Sequence, residues 1–86
     1  MVANRIAELR TAQGLTLEDV AAHLTERLGL EQPMAAVTVS RYERGKRAVP
    51  DSVKLALSEL FCVDVAWLMG WTDDAGRLRP VEALTA

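Results

Sequence analysis

The feature that most constrains this chain is a series of short segments with helical spacing, most of them closed by glycine. In the clearest segment, apolar residues recur every three or four positions, as on one buried helix face, at Leu17, Val20, Ala21, Leu24 and Leu28. Glycine closes a helix readily because it adopts the left-handed backbone conformation without strain. Helix-ending glycines are predicted at Gly14, Gly29, Gly45 and Gly70. No segment has the pattern of a strand, so an all-α fold is expected.

The first two helices have clear starts in the sequence. Helix 1 is predicted over residues 4–13, with the side chain of Asn4 as its cap. Helix 2 opens on Thr16-Leu17-Glu18-Asp19, whose threonine and acidic residue have the spacing of a capping box. The turn between the two helices is therefore expected to be short.

Three further helices follow. Helix 3 is predicted over residues 35–44, with Val39 and Tyr42 pointing inward. An earlier start is an alternative, because Pro33 could occupy the first turn. Helix 4 is predicted over residues 52–61 and a short helix 5 over residues 65–69, capped by Asp51 and Asp64 respectively. The expected architecture is a compact bundle of five short helices.

Length and composition agree with one small helical domain. The chain has 86 residues, of which 50% are apolar and only 5% aromatic. This length suits a single domain, and the excess of Ala, Leu and Val over aromatic residues favours packed helices. We expect the domain to cover residues 1–71. Residues 72–86 contain Asp, Gly and Pro without a sustained period and are expected to form a flexible tail.

The sequence offers few groups for catalysis or metal binding. The apolar run 65–70 is far shorter than the roughly 20 residues that a membrane helix needs, and residues 1–10 do not resemble a signal peptide. We therefore expect a cytoplasmic protein. Cys62, the only cysteine, is expected to be a small apolar packing residue, and His23, the only histidine, to be exposed. No metal, no cofactor and no enzymatic activity are expected.

The charge of the chain is unevenly distributed. The net charge is −2, which by itself argues against a nucleic-acid partner. Residues 31–50 nevertheless carry +2, whereas residues 1–30 carry −1 and residues 51–86 carry −3. The cations of the middle segment are Arg41, Arg44, Lys46 and Arg47. Such a cluster can attract and hold phosphate even in an acidic protein.

Several separated runs of the sequence form a series of motifs. They are RIAELR at residues 5–10, GLTLEDVA at 14–21, VSRYERGKR at 39–47 and VDVAWLMG at 63–70. In this order they resemble the phage-repressor (Cro/Xre) helix-turn-helix family, and the resemblance covers about residues 4–70. It implies a lambda-repressor-like fold and a transcriptional regulator, usually a repressor, that binds a two-fold symmetric site on double-stranded DNA as a homodimer.

The resemblance also implies which residues would read bases. In this family the third helix enters the major groove of DNA, and its exposed residues meet the base edges. The matching positions are Ala36, Val37, Ser40 and Arg41. Arg41 is the strongest candidate, because a guanidinium can donate two hydrogen bonds to guanine. The alternative is a solvated arginine or a phosphate contact.

Other positions match the residues that hold the DNA backbone or stabilise the fold. Phosphate contacts are expected from Thr38, Arg44, Lys46 and Arg47, although these cations could also complement the dipole of helix 3. The resemblance implies an ion pair between Arg10 and Glu43 that ties helix 1 to helix 3. It also implies a dimer contact in the fifth-helix region, at Val65, Trp67, Leu68 and Trp71. The alternative for that region is that it completes the core of the monomer.

Two features depart from the family pattern. The connection between helices 2 and 3 is several residues longer than usual, and Leu17 stands where family members often carry a glutamine that contacts the DNA backbone. Two other functions therefore remain alternatives. One is an antitoxin or interaction module of the same fold that binds a partner protein. The other is a related fold without DNA affinity.

Overall fold

A computed structural model describes residues 4–71. These residues form five α-helices and no strand. The helices are α1 (Ile6–Ala12), α2 (Leu17–Arg27), α3 (Ala36–Glu43), α4 (Asp51–Phe61) and α5 (Val65–Leu68). The prediction of an all-α bundle of five short helices is confirmed. The predicted tail, residues 72–86, lies outside the described residues.

The capping box at the start of α2 is present as predicted. The Thr16 hydroxyl accepts a hydrogen bond from the backbone N–H of Asp19 at 3.0 Å, and the Asp19 carboxylate accepts one from the N–H of Thr16 at 2.9 Å. Both bonds satisfy backbone donors that would otherwise lack a partner at a helix start. The box keeps the turn between α1 and α2 short, so α2 is held firmly at its N-terminus.

Two of the predicted caps differ in the structure. Asp51 is the first residue of α4 rather than the residue before it, and its carboxylate lies 3.4 Å from the Lys54 ammonium instead of capping the helix. Asp64 does precede α5, but its side chain makes no capping hydrogen bond. Pro33 lies before α3, which begins at Ala36, so the alternative of an earlier start is wrong. These local differences leave the order of the helices unchanged.

The helices end in left-handed residues. The predicted glycines all have positive φ, and Gly45, at +70°, turns the chain away from α3. Cys62 ends α4 in the same conformation, with φ of 58°, although it has a side chain. It is exposed, so the prediction that it is a small apolar packing residue is wrong. A left-handed end without glycine is uncommon because the Cβ atom crowds the backbone.

The core lies where α1, α2, α3 and α4 meet, and α5 closes one end of it. Its fully buried side chains are Ile6, Val20, Val39, Leu24, Leu57 and Leu68. Connecting segments also contribute: Val49, in the linker after α3, and Val63, between α4 and α5, are both buried. His23 is only partly exposed, and its Nε2 atom is enclosed without a hydrogen-bond partner among the described residues. The prediction that His23 is exposed is therefore wrong.

The helices are too short for any role as membrane spans. Among residues 4–71, none combines the length and the apolar character that crossing a membrane requires.

Two leucines of α4 offer a direct test of the core face. Leu57 is fully buried, so Leu57→Ala should lower the free energy of unfolding by about 2–5 kcal/mol through lost burial and a new cavity. Leu55 is 59% exposed, and Leu55→Ala should change it by no more than about 0.5 kcal/mol. Urea denaturation followed by circular dichroism measures both variants. Equal losses would contradict the assignment of the buried face.

Candidate nucleic-acid interface

Helix α3 presents two different faces. Its inner face buries Val39 and Tyr42, which are 1% and 3% exposed, as predicted. The outer face carries Val37, which is 48% exposed, and Arg41, which is also exposed. These two residues lie one helical turn apart and therefore share a face. The structure thus turns an apolar group and a guanidinium of α3 toward solvent, side by side.

The remaining predicted contact residues on α3 are less open. Ala36, Thr38 and Ser40 are each partly buried. Ala36 is the first residue of the helix, and Ser40 lies one turn after it, beside Arg41. The surface offered by α3 is therefore dominated by Val37 and Arg41, with small side chains around them.

Arg41 and three further cations extend this surface from α3 past its last residue, Glu43. The side chains of Arg41, Arg44, Lys46 and Arg47 are all exposed. Within residues 4–71, no carboxylate forms an ion pair with any of the four. We call these residues the basic cluster. Its charge is uncompensated and turned to solvent, which is what binding of phosphate requires.

The other cations of the described region are engaged in the fold. Arg10 pairs with Glu43, Lys54 with Asp51, and Arg27 with Glu59. The hydrogen bonds that Arg27 donates to the Glu59 carboxylate, and then the charge of that carboxylate, raise the pKa of Arg27 above its ordinary value. The described part of the chain therefore separates cations that are paired with carboxylates from cations that remain available.

Arg10 and Glu43 connect α1 to the end of α3. The Arg10 Nε atom lies 2.5 Å from Glu43 Oε2, and Nη1 of the same guanidinium donates to the carbonyl of Leu15 at 2.9 Å. The two side chains are only 16% and 7% exposed. One arginine thus joins α1, the turn that follows it and the last residue of α3. This contact holds the last residue of α3, which lies between Arg41 and Arg44 of the basic cluster.

A second contact with the end of α3 was not anticipated by sequence reasoning. Asn4 is the only polar residue classed as buried among residues 4–71. Its Nδ2 atom donates to the backbone carbonyl of Tyr42 at 2.8 Å, and its Oδ1 atom accepts from the N–H of Ile6 at 3.0 Å. The prediction that Asn4 is the cap residue is wrong, because Arg5 is the residue directly before α1, although the second bond gives the first N–H of the helix an acceptor. The first bond ties the start of α1 to the last turn of α3, and no local pattern indicates it.

Leu17 and the predicted dimer residues divide between core and surface. Leu17 packs against the core, so it offers no polar contact at the start of α2. Leu68 is fully buried within the protomer, and its predicted place in a dimer contact is wrong. Val65 is partly buried. Trp67 packs against the core, and the guanidinium carbon of Arg5 lies over its ring, 4.6 Å from the ring centroid. Trp71 is 64% exposed.

Comparison with protein families identifies the domain. A family model described as a helix-turn-helix domain matches residues 2–72, and the chain belongs to this family. The matched residues include all five helices. Neither the comparison with curated proteins nor that with solved structures found a match. Family membership indicates a DNA-binding regulator.

The described residues contain no group of His, Cys, Asp and Glu side chains that could hold a metal ion. Four of their exposed side chains are the guanidinium and ammonium groups of the basic cluster. The chemistry of these groups is hydrogen bonding and charge, as nucleic-acid recognition uses.

The Arg10–Glu43 pair should contribute far more to stability than the Arg27–Glu59 pair. Glu43→Gln would leave a largely buried guanidinium without its counter-charge, and we expect a loss of about 3 kcal/mol in the free energy of unfolding. The matched control is Glu59→Gln, whose partners are 51% and 55% exposed, and it should have little effect. Urea denaturation at low salt compares the two. Similar losses would contradict the structural role of Arg10 and Glu43.

Proposed function

We propose that this protein is a sequence-specific transcriptional regulator, acting as a repressor, that binds a two-fold symmetric operator as a homodimer. The observation that carries the proposal is the basic cluster, which continues the exposed face of a helix-turn-helix recognition helix. Bound near a promoter, such a protein would exclude polymerase by occupying the DNA.

Base reading would fall mainly to Arg41. Its guanidinium is exposed, has no carboxylate partner within residues 4–71, and can donate two hydrogen bonds to O6 and N7 of guanine. Val37 has no hydrogen-bonding group, and its methyl groups suit contact with the C5-methyl group of thymine. Ala36 and Ser40 would line the same surface, where a larger side chain would keep α3 away from the bases. A preference for guanine beside thymine is therefore expected in each half-site.

Backbone contacts would come from the three cations after Arg41, together with Thr38. Arg44, Lys46 and Arg47 lie at or beyond the last turn of α3 and are exposed. Contacts of this kind position a protein on the duplex without reading sequence. Each neutralised phosphate releases counterions, so affinity should fall steeply as salt rises.

The homodimer is proposed to form through the α5 end of the protomer, by Trp71 with Val65 and the edge of Trp67. A large indole that is 64% exposed is costly to leave in water, and a second copy could cover it symmetrically. Two copies related in this way would present two α3 helices to successive turns of the major groove. The same indole could instead meet a partner protein, as in an antitoxin, and the state of the purified protein distinguishes these alternatives.

Two arginine variants separate base reading from backbone contact. Arg41→Ala should remove about 1–3 kcal/mol of discrimination at one base pair of each half-site. Arg47→Ala should weaken binding to all sequences alike and reduce the salt slope by about 1 for each subunit. Fluorescence anisotropy with a duplex selected from a random pool, titrated at several salt concentrations, measures both effects. Equal behaviour of the two variants would contradict base reading by Arg41.

The dimer proposal predicts a specific loss on removal of the indole. Trp71→Ala should weaken self-association by about tenfold or more, as expected for an exposed aromatic at the centre of a contact. Leu30→Ala, which removes another exposed apolar side chain outside α4 and α5, is the control and should leave it unchanged. Analytical ultracentrifugation at a series of concentrations gives the dissociation constants. A monomeric wild-type protein at high micromolar concentration would refute the homodimer.

A further inference from the structure

The long connection between α2 and α3 is held at both of its ends by one residue, Thr25. The connection runs from residue 28 to residue 35. The backbone carbonyl of Thr25 accepts from the N–H of Leu30 at 3.0 Å, where the chain leaves α2. Its hydroxyl accepts from the N–H of Met34 at 2.9 Å, two residues before the start of α3. Residues 31–33, which are exposed, therefore lie between two hydrogen bonds that are both accepted by Thr25.

The hydroxyl of Thr25 is well oriented for this contact. It donates its own hydrogen to the carbonyl of Ala21 at 2.7 Å, one turn earlier in α2. A hydroxyl has one hydrogen to donate, so its lone pairs remain for the Met34 N–H. The donated bond holds the rotamer in which these lone pairs face the connection. Met34 also packs its side chain against the core, so the chain is held on both sides just before α3 begins.

The start of α3 has no such support of its own. Ala35 precedes the helix and has no side chain that could cap it. The position of Ala36 and Val37 therefore depends on how the preceding residues are held. The end of α3, by contrast, is tied to α1 through Glu43 and through the carbonyl of Tyr42. Met34 is thus the held residue nearest to the N-terminal end of α3, which is the end that would enter the major groove of DNA.

We propose that Thr25 is a positioning residue for DNA recognition, whose hydroxyl sets the tilt of α3 through Met34 and thereby determines base preference. This inference rests on the proposed function and extends it to a residue outside α3. Recognition geometry must hold to within about 0.5 Å for a side chain to act on the intended partner. A methyl group in place of the hydroxyl cannot accept a hydrogen bond and needs more room than an oxygen. It would therefore displace Met34 and turn the outer face of α3.

Thr25→Val is the test variant, because valine keeps the branched shape and removes only the hydroxyl. Thr11→Val is the matched control: the Thr11 hydroxyl also donates to the carbonyl one turn earlier, that of Ala7, at 2.9 Å, but it receives no bond from another segment. Thr25→Ser restores the acceptor. Each variant is checked for folding by thermal denaturation before binding is measured.

Binding is compared on the duplex that the wild type selects from a random pool, on duplexes with single base-pair changes, and on an unrelated duplex. Thr25→Val should reduce discrimination against the changed duplexes by about fivefold or more. Its affinity for the unrelated duplex should stay within about twofold of the wild-type value, because the basic cluster supplies the sequence-independent binding to phosphate. Thr25→Ser and Thr11→Val should discriminate as the wild type does. In the free protein, Thr25→Val should speed amide exchange of Met34 by about five- to tenfold.

Two binding results overturn the inference alone. One is discrimination by Thr25→Val that equals that of Thr11→Val; the other is an equal loss of affinity for every duplex, which would indicate only a general packing role. Unchanged exchange of the Met34 amide would also overturn it. A wild-type protein that binds the unrelated duplex as tightly as the selected one would instead refute the proposed function, and this inference with it. The wild-type measurement therefore separates the two failures.

Discussion

The position of α3 depends on the contacts that link its last turn to α1 and to the residue pair that precedes α1. Two groups of α1 and its leading turn, the Arg10 guanidinium and the Asn4 amide, bind Glu43 and the carbonyl of Tyr42. Both contacts are largely buried, so each would leave an unsatisfied polar group if its partner were removed. This cost holds the last turn of α3 in one place. The buried side chains of Val39 and Tyr42 then determine which face of α3 remains for solvent.

The distribution of charge follows from the same arrangement. Cations that lie between helices find carboxylates and become part of the fold, as Arg10 does with Glu43 and Arg27 with Glu59. The basic cluster lies on both sides of the left-handed turn at Gly45, where the chain leaves α3, and no described carboxylate pairs with it. An acidic protein can in this way keep one surface that attracts phosphate. Net charge is therefore a poor guide to the partner of a chain this small.

Local patterns were reliable where the interaction was local. The capping box at Thr16 and Asp19, the helix-ending glycines and the inward direction of Val39 all follow from residues within a few positions of one another. The errors have a different origin. The exposure of a side chain depends on which helices pack beside it, and the spacing along one helix does not carry that information. For this reason the exposure predicted from sequence was wrong for Cys62, His23 and Leu68. Asp51 shows that even a cap can give way to a neighbouring lysine.

The sequence alone determined the five helices, the family and the cluster of cations, since short-range spacing and side-chain type are enough for these. The tertiary structure decided which cations are free, which apolar residues face solvent, and how the long connection is held. Thr25 illustrates the difference. Nothing around it in the sequence distinguishes it from Thr11, yet only its hydroxyl meets a second segment of chain. Contacts between distant residues arise from packing, and they set the orientation of α3.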